Sequence, residues 1–104
     1  MPGSHGRPRS RAEAIEALTR SFARDLGPHG IQTNALAPGY FETELTRALV
    51  ENEQFTQWVT TRTPAGRWGK VEDLVGALVF LASPASNFVN GQVLFVDGGM
   101  TAVV

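Results

Sequence analysis

Residues 29–45 read HGIQTNALAPGYFETEL, and the fold depends on how this stretch divides. His29-Gly30 is turn chemistry, and Ile31 to Leu36 is a short run that stops at Ala37-Pro38-Gly39. A run of that length between turn residues reads as a strand, here 31–36 and parallel to whatever it pairs with. Upstream, Ile15, Leu18, Phe22 and Leu26 recur at helical spacing until Gly27-Pro28, which predicts an amphipathic helix over 11–26. Ser10 with Glu13 three residues later forms a capping-box pattern at its start. Residues 1–9, MPGSHGRPR, combine Pro, Gly and Arg without apolar periodicity and read as a disordered leader.

Downstream, residues 40–63 are too long for a plain loop and read as two short helices. Thr43 is placed to cap the first and Asn52 the second, with Phe55, Trp58, Val59 and Arg62 following at helical spacing. The breaker-rich segment TPAGRWGK, 63–70, precedes a helix near 72–82, whose stripe of Leu74, Ala77, Leu78 and Leu81 ends at Ser83-Pro84. Gln92 to Val96 is a second strand, closed by the turn Asp97-Gly98-Gly99. The order of strand, helical excursion, helix and strand is one βαβ crossover, so the fold class is α/β.

Composition narrows the function. With 104 residues, 42% hydrophobic and 18% charged, the chain has room for one globular domain. A net charge of −1 lacks the basic surplus of a nucleic-acid binder. The absence of cysteine removes disulfides and thiolate metal sites and points to a reducing, cytoplasmic setting. His5 and His29 have no partner at ligand spacing, so no metal is expected. No apolar stretch approaches the ~18 residues of a membrane span, and no membrane partner is expected.

Four segments in this order, HGIQTNALAPGYFETEL, RTPAGRWGK, EDLVGALVFLASPAS and FVNGQVLFVDGG, resemble the C-terminal part of the short-chain dehydrogenase/reductases. Within that family the stretch TELTRALVENEQFTQWVTTRTPAGRWGK and the ending VNGQVLFVDGGM look most like gluconate 5-dehydrogenases. The resemblance implies a doubly wound, Rossmann-like parallel sheet of which residues 10–104 carry the last two strands. The N-terminal cofactor-binding half, with its glycine-rich turn and catalytic Ser, is then expected to be absent. It also implies NAD or NADP as cofactor, held only weakly by this portion.

The family's Tyr-x-x-x-Lys pair falls on Pro8 and Ala12 here, and neither side chain transfers a proton. Tyr40 does not replace it, because Glu44 stands four residues on. No catalytic residue is therefore expected in the chain. The resemblance places Pro38, Gly39, Tyr40, Phe41 and Thr43 at the cofactor, and Trp58 and Arg62 at the substrate, with Tyr40 and Phe41 bordering the same region. Each has a plainer reading: Thr43 as a helix cap, Trp58 as core, and Arg62 or Arg67 as a structural cation rather than a carboxylate-binding one. Asp97 reads as a turn residue, as does Asn90-Gly91. The resulting expectation is a truncated NAD(P)-dependent oxidoreductase for a sugar acid or polyol, inactive alone and homo-oligomeric or associated with a full-length relative. The alternative is a non-catalytic interaction module that docks on full-length subunits.

Overall fold

The computed structural model describes residues 2–103, with side chains from Arg11 onward. Its elements are α1 (Pro2–Leu26), β1 (Ala35–Pro38), α2 (Arg47–Glu51), α3 (Glu53–Arg62), α4 (Glu72–Ala82) and β2 (Val93–Val96), with short 3-10 turns at Gly27–His29, Pro84–Ser86 and Met100–Val103. The helix bounds thus begin ahead of Ser10, within the stretch read as a leader. The side chains of 1–10, and with them the Ser10 capping pattern and Pro8, lie outside the described residues. β1 and β2 are neighbours in a two-stranded sheet. Ala35 N–H donates to Gln92 O and Gly39 N–H to Val96 O, so pairing advances in the same direction along both strands, as in a parallel ladder. The class is α/β, as expected.

The chain divides into two compact units, one comprising residues up to Ala35 with Leu81–Leu94, the other Leu36–Phe80 with Phe95–Val104. In the first, α1 ends at the predicted turn: Gly30 has φ 78°, a left-handed value that suits glycine, and its N–H returns to Gly27 O at 2.9 Å. The packed face of α1 is its small one. Thr19 and Ala23 are buried, and the Thr19 hydroxyl is satisfied by Ile15 O at 2.7 Å. Ile15 and Leu18, members of the predicted stripe, remain 52% exposed, and Phe22 47%.

The first strand is shifted from the expected 31–36 to Ala35–Pro38. Side-chain amides take the place of the ladder ahead of it. Asn90 Oδ1 accepts from Thr33 N–H at 2.8 Å, Asn34 Oδ1 accepts from Gln92 N–H at 3.0 Å, and Asn34 Nδ2 donates to Val89 O at 3.0 Å. Backbone groups so satisfied need no strand partner. At the far end β1 includes Pro38, because the N–H groups of Ala35 and Gly39 turn toward β2 and, by the alternation of a strand, the missing donor of Pro38 faces away.

Asn90 also joins these elements to α1, donating from Nδ2 to Ala23 O at 3.1 Å. Replacing Asn90 by Ala leaves the partly buried Thr33 N–H and Ala23 O without these partners, and is expected to cost about 1–3 kcal/mol. Asn90→Asp, which keeps the acceptor for Thr33, should lose less. Urea unfolding followed by circular dichroism checks both, and a parental midpoint for Asn90→Ala would contradict the assigned role.

Candidate functional site

The second unit holds every residue that the sequence marked for cofactor or substrate. β1 delivers Pro38 and Gly39 to its carboxyl end, the side of an α/β sheet at which ligands bind. Gly39 is required there by packing: a Cβ at this position would lie 2.7 Å from Asp97 Cβ and 2.8 Å from Asp97 Cα. The chain then pairs with the breaker-rich segment. Gly69 N–H donates to Tyr40 O and Glu42 N–H to Gly69 O, both at 2.8 Å, forming an isolated parallel bridge between Phe41 and Gly69. Phe41 is buried with its ring against Gly69, where a side chain on residue 69 would come within 2.6 Å of Phe41 Cε2.

Thr43 is exposed and sits one turn before α2 rather than at its cap. Its Oγ1 accepts from Thr46 N–H at 3.3 Å, while the Thr46 hydroxyl donates to Phe41 O at 2.7 Å. The N-cap of α2 is Thr46, without a side-chain cap bond. A five-residue helix preceded by its own hydroxyl-closed turn leaves Thr43 to that turn. Asn52 does cap α3 as expected, its Oδ1 accepting from Phe55 N–H at 3.0 Å.

The α3 face and the 40–41 loop build an aromatic cluster. Tyr40 meets Phe55, Trp58 and Trp68 edge-on, with ring centroids 6.0, 5.7 and 6.0 Å away, and Phe55 stacks on Trp58 at 5.6 Å. Trp68 is the buried member, its Nε1–H held by Thr56 Oγ1 at 3.1 Å. Tyr40 and Trp58 are the open ones, 37% and 38% exposed. Sequence reasoning missed Trp68, which carries no helical periodicity; its bulk between two glycine-containing turns was the available signal. Arg62, on the last turn of α3, lies over the Trp58 ring with its guanidinium carbon 4.5 Å from the centroid.

Arg67 is committed elsewhere. Its Nη1 donates to Asp73 Oδ2 and to Trp68 O, each at 2.9 Å, and the same Asp73 oxygen accepts from Lys70 N–H at 2.8 Å. The hydrogen bond from Arg67, followed by that from the Lys70 N–H, holds the Asp73 carboxyl below the usual carboxylate range, and Asp73 in turn raises Arg67. Asp97 is the turn residue expected. Partial burial pulls its carboxyl upward, but hydrogen bonds from the Thr101 hydroxyl at 2.7 Å, Thr101 N–H at 3.1 Å and Gly99 N–H at 3.0 Å outweigh that and leave it lowered.

Tyr40, Phe41, Thr63, Arg67, Asp97 and Gly98 border a cavity of about 170 Å³. Of its lining acids, Asp73 and Asp97 are both held below the usual carboxylate range. A shallower hollow is lined by Glu42, Thr43, Glu44 and Arg47, a set too acidic to hold a pyrophosphate. Among the described residues no group of three His, Cys, Asp or Glu side chains could hold a metal. No helix among them is long and apolar enough to cross a membrane.

Residues 10–101 match the family model described as enoyl-(acyl carrier protein) reductase. The chain is 65% identical over 88 residues to gluconate 5-dehydrogenase of Gluconobacter oxydans, covering 85% of this chain and 34% of that protein. It is 58% identical over 91 residues to 5-keto-D-gluconate 5-reductase of Escherichia coli K12, covering 88% of this chain and 36% of that one. Among solved structures, the Burkholderia cenocepacia gluconate 5-dehydrogenase in complex with NADP and tartrate superposes with a TM-score of 0.83 at 60% identity, over 88% of this chain and 36% of the other. The chain thus spans about a third of the length of the relatives it matches. A family match over most of the chain, joined to a parallel strand pair that ends in the Pro38-Gly39 turn, has one conclusion: the chain belongs to the short-chain dehydrogenase/reductase family of oxidoreductases.

Proposed function

We propose that this chain is the C-terminal part of an NAD(P)-dependent oxidoreductase that acts on a gluconate-like sugar acid in the cytoplasm, and that it is catalytically silent by itself. The observation that carries the reading is the 65% identity to a gluconate 5-dehydrogenase over 88 residues, 85% of this chain. The cofactor, when bound, supplies the hydride acceptor or donor. Pro38 and Gly39 at the carboxyl end of β1 suit its nicotinamide side, where a narrow turn lets a flat ring approach the backbone. The exposed Thr43 hydroxyl is close in sequence to that turn and serves the same end. Tyr40 and Phe41 border it, the first open and the second as its buried support.

Among the described residues, the hollow beside Thr43 is lined by Glu42, Glu44 and Glu51 with Arg47, which does not suit a pyrophosphate, and Ala12, at the position of the family's lysine, brings only a methyl group. Phosphate binding is therefore left to the glycine-rich turn expected upstream, and proton transfer has no capable side chain at the positions of the family's Tyr and Lys, Pro8 and Ala12. Two outcomes follow. The purified chain with NADP and gluconate should show no change in nicotinamide absorbance beyond a no-protein control, and turnover above it would refute silence. Grafting Ile15–Thr101 in place of the matching stretch of the Gluconobacter enzyme should retain gluconate oxidation. A folded graft that oxidises other alcohols but not gluconate would overturn the substrate class.

A second reading, docking on full-length relatives or self-association, is favoured by apolar side chains left in solvent. Ile15, Leu18 and Phe22 on α1 are half exposed, and on α4 Val75, Leu78 and Val79 are 51%, 52% and 60% exposed. Apolar faces of this kind are usually covered by a partner. Sedimentation equilibrium at low micromolar concentration tests it: we expect a dimer or larger, and a monomer with a cooperative thermal transition would count against it.

A further inference from the structure

We infer that Trp58 and Arg62 form a carboxylate-recognition element, in which the guanidinium rests over the indole and the cation binds the acid end of a small hydroxy acid. The inference rests on the sugar-acid reading above and extends it to the group that selects an acid over a neutral polyol. Three observations converge on this pair.

The first concerns charge. In the second unit Arg47 is bound to Glu44 at 2.5 Å and Arg67 to Asp73 at 2.9 Å. Arg62 has no carboxylate within ion-pair range among the described residues, and its guanidinium instead covers an indole. A guanidinium over an aromatic ring makes no hydrogen bond to that ring's carbon face, which leaves its N–H donors for the fork that matches both oxygens of a carboxylate. The contact with the indole also removes some of the side chain's rotational freedom before any ligand arrives.

The second is continuity. Arg62 lies on Trp58, Trp58 meets Tyr40 at 5.7 Å, and Tyr40 follows directly on Pro38-Gly39 at the carboxyl end of β1. A ligand that reached from this strand end across the open Tyr40 and Trp58 rings would place one terminus at the cation. The apolar ring faces suit the C–H surface of a polyhydroxy chain.

The third is the chemistry of ligands on relatives. The names of the Gluconobacter and Burkholderia proteins specify gluconate, and the Burkholderia structure contains tartrate. Both are hydroxy acids that carry a carboxylate at a chain end, and they differ at the other end.

Equilibrium dialysis of the 104-residue chain against labelled gluconate and labelled sorbitol tests the assignment. Gluconate should be retained and sorbitol should not. Arg62→Gln is expected to weaken retention about tenfold or more, the loss of a charge-assisted hydrogen-bonded contact. Arg62→Lys should restore part of it, Trp58→Leu should weaken it less than Arg62→Gln, and Arg47→Gln should leave it unchanged. Circular dichroism of each variant confirms that the fold is kept. Retention untouched by Arg62→Gln, equal loss in Arg47→Gln, or equal retention of sorbitol would overturn the proposal, as would no gluconate retention at all. The graft into the Gluconobacter enzyme reports on the oxidoreductase reading independently, so either can fail without the other.

Discussion

Gly98→Val is expected to abolish cooperative folding of the second unit. Gly98 has φ +65°, in the left-handed region where a β-branched residue is strained by roughly 1–3 kcal/mol. Space is lacking as well: a Cβ would meet Thr63 Cγ2 at 2.7 Å and Ala65 Cβ at 3.1 Å. Thr63 cannot readily withdraw, since it is buried with its hydroxyl bonded to Val59 O at 2.8 Å, and Ala65 N–H is bonded to Gly98 O at 3.0 Å. Overpacking of this kind adds about 1–3 kcal/mol, and the sum is a large part of the roughly 5–15 kcal/mol that stabilises a small domain. Gly39→Val fails for a different reason. Its φ is not in the left-handed region, but the obstacle is the backbone of Asp97, pinned by the bond from Gly39 N–H to Val96 O at 2.9 Å. Gly98→Asn should therefore recover part of the loss, because Asn tolerates left-handed backbone, whereas Gly39→Ala should already be damaging. A circular-dichroism melt distinguishes them, and parental melting of both valine variants would contradict the two turn assignments.

Trp68→Ala should cost about 3–5 kcal/mol, as large aromatic truncations in a core do. Trp68 is 4% exposed, contacts Tyr40 and Phe55, and donates from Nε1 to Thr56 Oγ1. Thr56 in turn donates its own hydroxyl to Val50 O at 2.6 Å, so the indole anchors a chain of bonds reaching the residues before α3. Trp68→Phe keeps most of the ring and forfeits the indole donor, for about 1 kcal/mol. Trp58→Ala removes an indole that is 38% exposed and should cost less than Trp68→Ala, since less surface returns to water. Urea midpoints for the three variants measure the order. If Trp58→Ala proved the more damaging, the division into a buried and an open indole would be wrong.

The local elements were legible because their causes are local. Leu74 through Leu81 recur at helical spacing between Lys70 and Ser83-Pro84, and α4 runs Glu72–Ala82 as expected. Asn52 caps the helix that follows it, and Asp97 closes a turn with donors from Gly99 and Thr101 only a few residues on. In each case the interacting groups lie within one helical turn or one tight turn of each other, so residue type and spacing were enough. The resemblance, resting on four ordered motifs, likewise reached the family from the sequence alone.

Tertiary structure decided what depends on residues distant in sequence. The start of β1 moved because Asn34 and Asn90 bond backbone groups more than fifty residues away, which no window of sequence displays. The predicted stripe of α1 gave way to Thr19 and Ala23, and at Ala23 a small side chain admits the close approach of Asn90 and Gly91. Periodicity left Trp58 between substrate face and core and gave no sign of Trp68, whose burial comes from the pairing of Gly69 with the 40–42 backbone. Arg62 and Arg67 were equivalent candidates as cations until the fold gave Arg67 to Asp73 and left Arg62 on an indole. Sequence determines which groups can form turns, caps and apolar faces; which of several equivalent charges or rings stays open is set by three-dimensional packing, because solvation and ion pairing are properties of the assembled neighbourhood.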